Sequence, residues 1–338
     1  MLRGRVEVVL HQSRLLADNP LGDPSERELG VYLPPGYDGA KRRYPIIVVL
    51  PGFTGTGLGL VARGPWQTPL DRRMDALVDK QLAKEAILVL PDCFTRYGGS
   101  QYVDSPAIGR YASYVCDELV PFVDARFRTV AERAGRAVVG KSSGGYGALH
   151  LAMTRPELFA AAGSHAGDCA FDLTYRRELP LTAAAIDRDG GVVPFLARFE
   201  LLPQRSSGDI EALSILCCAA AWSPRPSGPY AHGQGFDLPF ETRTGTLVPE
   251  VWARWLAADP LARLDDPRAA DALRKLRLLF IDAGRSDEYA LQLGARQLVD
   301  AMKARAIPCT HEEFAGGHRN TAHRYDRSLA LLSQAISA

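Results

Sequence analysis

The stretch RAVVGKSSGGYGALHLAM, residues 136–153, decides the fold, because it joins a short apolar run to a small-residue turn and then to a helical segment. It contains the pattern G-x-S-x-G with Ser142 at the tip of the turn. Small flanking residues let a strand and a helix approach closely, and the sharp turn holds the serine in a strained backbone conformation. We therefore predict an exposed Ser142 hydroxyl at the carboxyl end of a sheet. The N–H of Ser143 should lie at a helix N-terminus, where an anion is stabilised.

A second pattern covers the same residues. The segment from Gly135 to Ser142 matches G-x-x-x-x-G-K-[ST], the phosphate-binding P-loop, and Asp282 could then serve as a magnesium-side carboxylate. A P-loop needs its strand before the first glycine and an open loop after it. Here the strand-like residues Val138 and Val139 lie inside that window, and the residues before it are polar. This order favours the serine-bearing turn and leaves the P-loop as the alternative.

The composition is that of an ordinary globular protein. Of the 338 residues, 46% are hydrophobic and 23% are charged, and the net charge is +1 at pH 7. This balance gives no electrostatic basis for binding nucleic acid or an anionic membrane. No apolar run approaches the roughly 20 residues that a membrane-spanning helix needs. The segment Met1–Glu7 carries charges where a secretory signal would be apolar, so we expect a cytoplasmic protein.

Strand-like and helix-like segments alternate along most of the chain. Tyr44–Leu50 and Ala86–Leu90 are continuous apolar runs, as in strands covered on both faces, and Leu276–Ile281 is a further predicted strand that contains the apolar run Leu278–Ile281. We therefore predict an α/β protein with a mainly parallel central sheet, helices on both faces, and one domain over residues 1–338. The alternation stops between residues 171 and 273, a segment rich in proline and tryptophan. We interpret it as a partly helical insertion over the active site that could supply an apolar pocket wall.

A nucleophilic serine needs a base and an acid that orients the base. In this class of fold they follow in the order Ser, acid, His, each on a loop after a strand. Ser142, Asp287 and His318 have that order, and two glycines before His318 let its loop reach inward. Asp282 and Glu288 are the competing choices for the acid.

The oxyanion of acyl transfer needs two fixed N–H donors. The candidates are the backbone amides of Ser143 and of Phe53, which follows the Tyr44–Leu50 strand in a glycine-rich loop. His165, Asp168 and Trp222 are candidate substrate-binding residues, with a hydrogen-bonded loop clasp as the alternative role for the first two. No group of His, Cys and carboxylate residues has metal-ligand spacing, so we predict neither a metal nor another cofactor.

A set of motifs resembles the Putative esterase family, which includes esterase D, enterochelin esterases, feruloyl esterases and the mycolyltransferases. The motifs are Asn19-Pro-Leu-Gly-Asp23, Val31-Tyr-Leu-Pro-Pro-Gly-Tyr37-Asp38, Tyr102-Val-Asp-Ser-Pro106, Gly140-Lys-Ser-Ser-Gly-Gly145, His165-Ala-Gly-Asp168, Gly284-Arg-Ser-Asp287-Glu288-Tyr289 and Phe314-Ala-Gly-Gly-His318. The resemblance implies an α/β-hydrolase fold, Ser142 as nucleophile, Asp287 as acid, His318 as base and the amides of Phe53 and Ser143 as oxyanion hole. Two positions depart from many relatives: Ser143 stands in place of Met, and Pro51 in place of His or Asp.

These residues together predict a serine carboxylesterase that hydrolyses a small-molecule ester through an acyl-enzyme. An acyltransferase with the same three residues and a non-catalytic binding protein on the same fold are the alternatives. The expected partner is the ester alone, with no nucleic acid and no membrane, and a homo-oligomer is left open.

Overall fold

The structure is a computed structural model that describes residues 3–225, 227–228 and 233–337. Ten strands form two sheets in this part of the chain. The strands are β1 (Arg5–Gln12), β2 (Glu26–Leu33), β3 (Ile46–Leu50), β4 (Ile87–Leu90), β5 (Asp104–Ser105), β6 (Gly109–Arg110), β7 (Arg136–Lys141), β8 (Ala161–His165), β9 (Leu278–Gly284) and β10 (Thr310–Phe314).

Eight strands form the main sheet in the spatial order β1-β2-β4-β3-β7-β8-β9-β10. The pairs β1–β2 and β2–β4 are antiparallel, and every later neighbour in the sheet is parallel. β5 and β6 pair as a separate short antiparallel hairpin. The mainly parallel sheet predicted from the alternating apolar runs is therefore confirmed.

Helices cover both faces of this sheet. They are α1 (Leu70–Asp79), α2 (Tyr111–Ser113), a π-helical segment (Tyr114–Leu119), α3 (Val120–Arg126), α4 (Ser143–Thr154), α5 (Phe171–Thr174), α6 (Leu179–Arg188), α7 (Val192–Leu201), α8 (Ser207–Trp222), α9 (Pro249–Ala258), α10 (Pro267–Arg274), α11 (Leu291–Ala304) and α12 (Tyr325–Ile336). Successive side chains of a strand point to opposite faces, so Val48 packs in the core beneath α3 and α4. Its neighbour Val49 packs on the other face with Met74 of α1 and Leu332 of α12.

The chain order places a cleft at the centre of the sheet. From β3 the chain crosses to β4 on one side, and the next strand of the main sheet, β7, lies on the other side of β3. Ligands of open α/β sheets bind outside the carboxyl ends of the strands at such a switch point. In the register of β3 and β7, Leu50 pairs with Gly140, so the loops that follow the two strands start side by side.

Between β8 and β9 the described chain adds helices α5 to α10 and no strand of the main sheet. This is the segment 171–273 that we interpreted as an insertion. Its longest helix, α8, starts at the cap residue Ser206, whose side chain accepts a hydrogen bond from the N–H of Asp209. Within the described residues, no helix combines the length and the apolar character needed to cross a bilayer.

Candidate active site

Ser142 occupies a strained turn between β7 and α4. Its backbone angles are φ 56° and ψ −124°, outside the regions that non-glycine residues normally adopt. The two glycines of the motif make this turn possible. A Cβ atom on Gly140 would lie 2.2 Å from the carbonyl oxygen of Gly144, and one on Gly144 would lie 2.1 Å from the carbonyl oxygen of Leu50. Only glycine allows the strand, the turn and the helix to come so close.

The course of β7 overturns the P-loop alternative. The strand runs from Arg136 to Lys141, through the residues that a P-loop would keep open to hold a phosphate. Asp282, the proposed magnesium-side carboxylate, lies within β9 and binds His165 and Arg324 instead. The chain therefore matches the P-loop sequence pattern without forming the loop that binds a phosphate.

The structure brings Ser142, His318 and Asp287 into one hydrogen-bonded line. Nε2 of His318 lies 3.0 Å from Oγ of Ser142, and Nδ1 lies 2.8 Å from Oδ2 of Asp287. The other Asp287 oxygen, Oδ1, accepts the N–H of Tyr289 at 2.9 Å, which fixes the carboxylate. The carboxylate thus holds a proton on Nδ1 and leaves Nε2 free to accept the serine proton.

Glu288, a competing choice for the acid, holds the histidine loop rather than the ring. Its carboxylate accepts the backbone N–H of His318 at 2.6 Å, and this hydrogen bond lowers the pKa of Glu288. A Cβ atom on Gly317 would lie 2.7 Å from the same carboxylate, so a larger residue there would displace the Glu288 side chain from this hydrogen bond. The other competitor, Asp282, does not contact His318.

The amides of Phe53 and Ser143 follow β3 and β7, the adjacent strands of the central cleft. Within the described residues neither amide donates to a protein acceptor. The Phe53 loop is held on three sides. Thr54 N–H donates to the Gly98 carbonyl at 2.8 Å, Gly55 N–H closes a turn onto Gly52, and the Tyr102 hydroxyl donates to the Pro51 carbonyl at 2.6 Å. The loop with Pro51 is therefore supported through backbone groups.

A cavity of about 380 Å³ opens over Ser142. Its walls are Gly52, Phe53, Thr54, Gln101, Lys141, Ser142, Ser143, Asp168, Thr174, Tyr175, Glu178, Ile210, Glu211, Ser214, Ile215, Tyr289, Leu291, His318 and Arg319. Asp287 lies behind His318 and is not part of the wall. One face of α8, at spacings i, i+1, i+4 and i+5, supplies the wall from residue 210 to residue 215.

Trp222 does not line this cavity, and the expectation that it would is wrong. Its ring stacks on Phe171 at 4.5 Å within the insertion and meets Tyr146 of α4 at 5.2 Å, so it packs the insertion onto the rest of the protein. Trp252 and Trp255 are buried in the same cluster and also lie outside the cavity wall. The aliphatic part of the wall comes from Ile210 and Ile215 of α8 and Leu291 of α11 instead, while the tryptophans are packed in the core.

His165 is likewise outside the cavity wall, which corrects its assignment as a substrate-binding residue. Its Nδ1 lies 2.7 Å from Asp282 and its Nε2 lies 2.8 Å from the Ser328 hydroxyl. All three side chains are buried between the sheet and α12. His165 therefore ties β8 to β9 and α12, which is the clasp that we gave as its alternative role.

Asp168 does line the cavity, and its environment is unusual. Burial raises its pKa to about 6, and the hydrogen bond that Oδ2 accepts from the Tyr175 hydroxyl at 2.8 Å opposes this only in part. Burial also lowers the pKa of Lys141, which shares the cavity wall. Both effects reflect the cost of keeping a charge in a poorly solvated site.

Several cavity residues escaped prediction from the sequence. Lys141 and Arg319 are chain neighbours of Ser142 and His318, so their adjacency to the motifs was a usable signal. Tyr175 and Ile215 carried no such signal, because only the folding of the insertion brings them to the sheet. Among the described residues, no group of three or more His, Cys, Asp or Glu side chains is placed to hold a metal ion.

Comparison with known proteins identifies a family for most of the chain and curated relatives for about half of it. A profile of the family described as Putative esterase matches residues 24–330. Esterase Rv1288 of Mycobacterium tuberculosis is 32% identical over 180 residues, which cover 49% of this chain and 35% of that protein. The Endo-1,4-beta-xylanase/feruloyl esterase of Xylanibacter ruminicola is 30% identical over 146 residues, 40% of this chain and 19% of its own length. The chain thus spans about a third or less of the length of these curated relatives.

Solved structures share the fold at lower identity. A ferulic acid esterase has a TM-score of 0.62 and 18% identity, with full coverage of both chains. An S-formylglutathione hydrolase from Agrobacterium tumefaciens has a TM-score of 0.61 and 18% identity over 100% of this chain and 97% of its own. The family match over most of the chain agrees with this shared fold. The chain therefore belongs to the Putative esterase family, a family of esterases with the α/β-hydrolase fold.

Proposed function

We propose that the protein is a serine carboxylesterase in which Ser142 is the nucleophile, His318 the general base and Asp287 the residue that orients it. The single observation that carries the proposal is the Ser142–His318–Asp287 line, with its 3.0 Å and 2.8 Å contacts, opening onto the cavity. Serine hydroxyls become effective nucleophiles when a positioned base takes their proton.

The reaction follows from this geometry. As Oγ of Ser142 attacks the ester carbonyl, its proton passes to Nε2 of His318, and the carbonyl oxygen becomes an oxyanion. The amides of Phe53 and Ser143 are free to donate to that oxyanion. When the tetrahedral intermediate collapses, the carbon–oxygen bond to the alcohol breaks and His318 returns its proton to the leaving alkoxide. Water, deprotonated by His318, then attacks the acyl carbon; the bond to Oγ breaks, His318 returns the proton to Oγ, and the carboxylic acid leaves.

The cavity wall constrains the ester. Ile210, Ile215 and Leu291 supply apolar surface, whereas Asp168, Glu178 and other polar residues line the same space. We propose a small ester with both apolar and polar parts. An acyl group bound between tryptophan rings is not compatible with the placement of those rings in the core.

The test is hydrolysis of p-nitrophenyl esters from acetate to decanoate, with rapid-quench mass spectrometry to find the acylated peptide. We expect a burst of p-nitrophenol and an acyl group on the peptide that contains Ser142. Labelling of another residue, or steady turnover by the Ser142→Ala variant at the native rate, would contradict the proposal. Addition of alcohols shows whether water or an alcohol resolves the acyl-enzyme, which separates hydrolysis from acyl transfer.

A further inference from the structure

Asp168 is a buried carboxylate on the wall of the catalytic cavity. Only 7% of its surface is exposed, and within the described residues no lysine, arginine or histidine lies within ion-pair distance of it. Its one hydrogen-bond partner is the Tyr175 hydroxyl, which donates to Oδ2. A buried carboxylate normally has a cation or several donors around it, since burial of an unpaired charge is costly.

Tyr175 joins Asp168 to a chain of hydrogen bonds that starts at Gln101. Nε2 of Gln101 donates to Sγ of Cys218 at 3.0 Å, and the Cys218 thiol donates to the Tyr175 hydroxyl oxygen at 3.6 Å. An ionised Asp168 can only accept, so Tyr175 must donate to it and the thiol must donate to Tyr175. This order assigns the amide NH₂ of Gln101 to Cys218.

The Tyr175 hydroxyl and the Cys218 thiol are therefore used as donors inside the protein, and one of the two N–H groups of the Gln101 amide is bound to Cys218. Oδ1 of Asp168 receives no hydrogen bond from the described residues, and Oε1 of Gln101 is buried without a partner. Gln101 and Tyr102 have positive φ angles of 51° and 55°, so the backbone is strained where Gln101 joins the cavity wall. Strain of this kind persists only where the surrounding structure enforces it. At Asp168, this part of the wall offers a ligand an acceptor, the carboxylate oxygen Oδ1.

The charges around Asp168 leave it ionised at neutral pH. Burial raises its pKa to about 6, Asp287 adds to that rise, and Tyr175, His318 and Lys141 oppose it. Glu178 and Glu211 line the same cavity, and the described wall residues of the insertion include no cation, although Arg177 pairs with Glu178 next to the wall. A group with a proton to donate would bind here more favourably than an acceptor or an apolar group.

We infer that Asp168 is the centre of a recognition subsite for a hydrogen-bond donor of the substrate, a hydroxyl or ammonium group carried by the acyl or alcohol part of the ester. This inference rests on the proposed esterase function. It assigns a substrate class to the cavity: esters with a second, proton-donating polar group, in place of plain alkyl esters.

Two substrate series test the subsite. The acyl series is the p-nitrophenyl esters of heptanoic acid, 6-hydroxyhexanoic acid and 6-aminohexanoic acid, in which CH₃, OH and NH₃⁺ exchange at one position. The alcohol series is the butyrate esters of 1-propanol, ethylene glycol and 2-(dimethylamino)ethanol, followed by acid release at constant pH. The quantity measured is the ratio of kcat/KM for each donor ester to that of its alkyl partner, because effects on the shared reaction steps cancel in this ratio.

In one of the two series the ratio should fall roughly 10- to 100-fold in Asp168→Asn, the range expected for a hydrogen bond to a charged group. The hydroxyl and ammonium arms show which donor the subsite prefers. Asp300→Asn, on the exposed outer side of α11, is the matched control and should keep the native ratio. Equal ratios in the native protein and Asp168→Asn in both series would overturn the inference.

The pH dependence gives a second readout. The native ratio should decline as the pH falls through about 6, where Asp168 gains its proton. Tyr175→Phe removes a hydrogen bond that favours the ionised form, so this decline should move to higher pH. A decline that stays at the same pH in Tyr175→Phe would contradict the assignment to Asp168.

Failure of the proposed function gives a different result. If no ester is turned over, calorimetric titration of Ser142→Ala with methyl 6-hydroxyhexanoate and methyl heptanoate still measures the subsite. Tighter binding of the hydroxy ester that is lost in Ser142→Ala/Asp168→Asn supports the subsite without catalysis. Equal binding of the two esters, or none, would count against it.

Discussion

The described residues contain two Ser–His–Asp sets of nearly equal geometry, and one of the two opens onto the described cavity. In the first, His318 lies 3.0 Å from Ser142 and 2.8 Å from Asp287. In the second, His165 lies 2.8 Å from Ser328 and 2.7 Å from Asp282. Judged by these contacts alone, the second set is the tighter of the two.

The surroundings separate the two sets. Ser142 stands at a strained turn next to two free amides and a cavity, whereas Ser328 lies inside α12, is fully buried and also donates towards the Tyr325 carbonyl. Asp282 is shared with Arg324, so the second set is part of an ion-pair network. We therefore expect that three side chains in line are not sufficient for catalysis. A reacting serine also needs access and donors for the oxyanion.

The sharpest way to break the comparison is to remove each serine. Ser142→Ala should reduce kcat by roughly 10⁶-fold, as expected for loss of a triad nucleophile. Ser328→Ala should keep most of the activity and lose about 1 kcal/mol of stability with its hydrogen bond to His165. Ester hydrolysis and urea unfolding measure the two effects. A fluorophosphonate probe that labels native protein and Ser328→Ala, but not Ser142→Ala, would assign the reactive serine; labelling of Ser142→Ala would contradict it.

Replacement of the acid should lower mainly the activity in the first set and mainly the stability in the second. Asp287→Asn should lower kcat by roughly 10⁴-fold, because the histidine loses the partner that fixes its tautomer. Asp282→Asn should instead lower the free energy of unfolding by about 3–5 kcal/mol, since Arg324 and His165 are left with an incomplete buried network. Urea titration and initial rates on the same samples separate the outcomes. Comparable loss of kcat in both variants would mean that the second set contributes to catalysis.

A substitution in the loop that carries Phe53 should have a smaller effect on kcat. A Cβ atom at residue 52 would lie 3.2 Å from the Lys141 carbonyl oxygen and 3.4 Å from Cβ of Ser142, so Gly52→Ala should shift the loop by a few tenths of an ångström. A displacement of 1 Å can cost about 100-fold in rate. Because the expected displacement is smaller than that, we expect kcat to fall by about tenfold. Gly39→Ala is the matched control, because nothing lies within 4 Å of the added atom. Equal kcat for both variants would show that the loop tolerates the shift.

Burial of the charged Asp168 side chain should lower the stability of the protein at neutral pH. Its pKa is raised to about 6 from 3.8, so the folded state binds the proton more tightly than the unfolded state and stability falls as the pH rises between these values. At pH 7.5 Asp168→Asn should be more stable than the native protein by about 1–3 kcal/mol, at 1.36 kcal/mol per pKa unit. The gain should shrink as the pH falls from 6 towards 4. Urea titrations across that range check it, and a gain independent of pH would point to a cause other than ionisation.

Sequence reasoning worked best where a local motif fixes the backbone. Gly140, Ser142 and Gly144 specify the turn by themselves, because the close approach of strand and helix excludes larger residues. The mainly parallel sheet also followed from its apolar runs, which need cover on both faces. The placement of Asp287 and His318 near Ser142 agrees with the order of the strands that carry them.

Within the insertion, the residues that line the cavity were not predicted from the sequence. Trp222 and His165 looked like binding residues because large aromatic and polar side chains often line sites, yet each satisfies the core with its own contacts. No hydrophobic periodicity in residues 171–273 indicates which face of α8 lines the cavity. The positions of Ile210 and Ile215 in the cavity wall therefore could not be predicted from the sequence. Those positions depend on long-range packing, which a local pattern does not encode.

The division of the cavity between the sheet loops and α8 has a consequence for how such an enzyme can diversify. The groups that we propose to react belong to loops that follow β3, β7, β9 and β10, whereas one face of a single helix contributes Ile210, Glu211, Ser214 and Ile215 to the cavity wall. Substitutions on that face alter the space beside the ester without touching the elements that hold Ser142 and His318. Substrate preference can therefore drift by mutation of one helix while the chemistry is inherited unchanged.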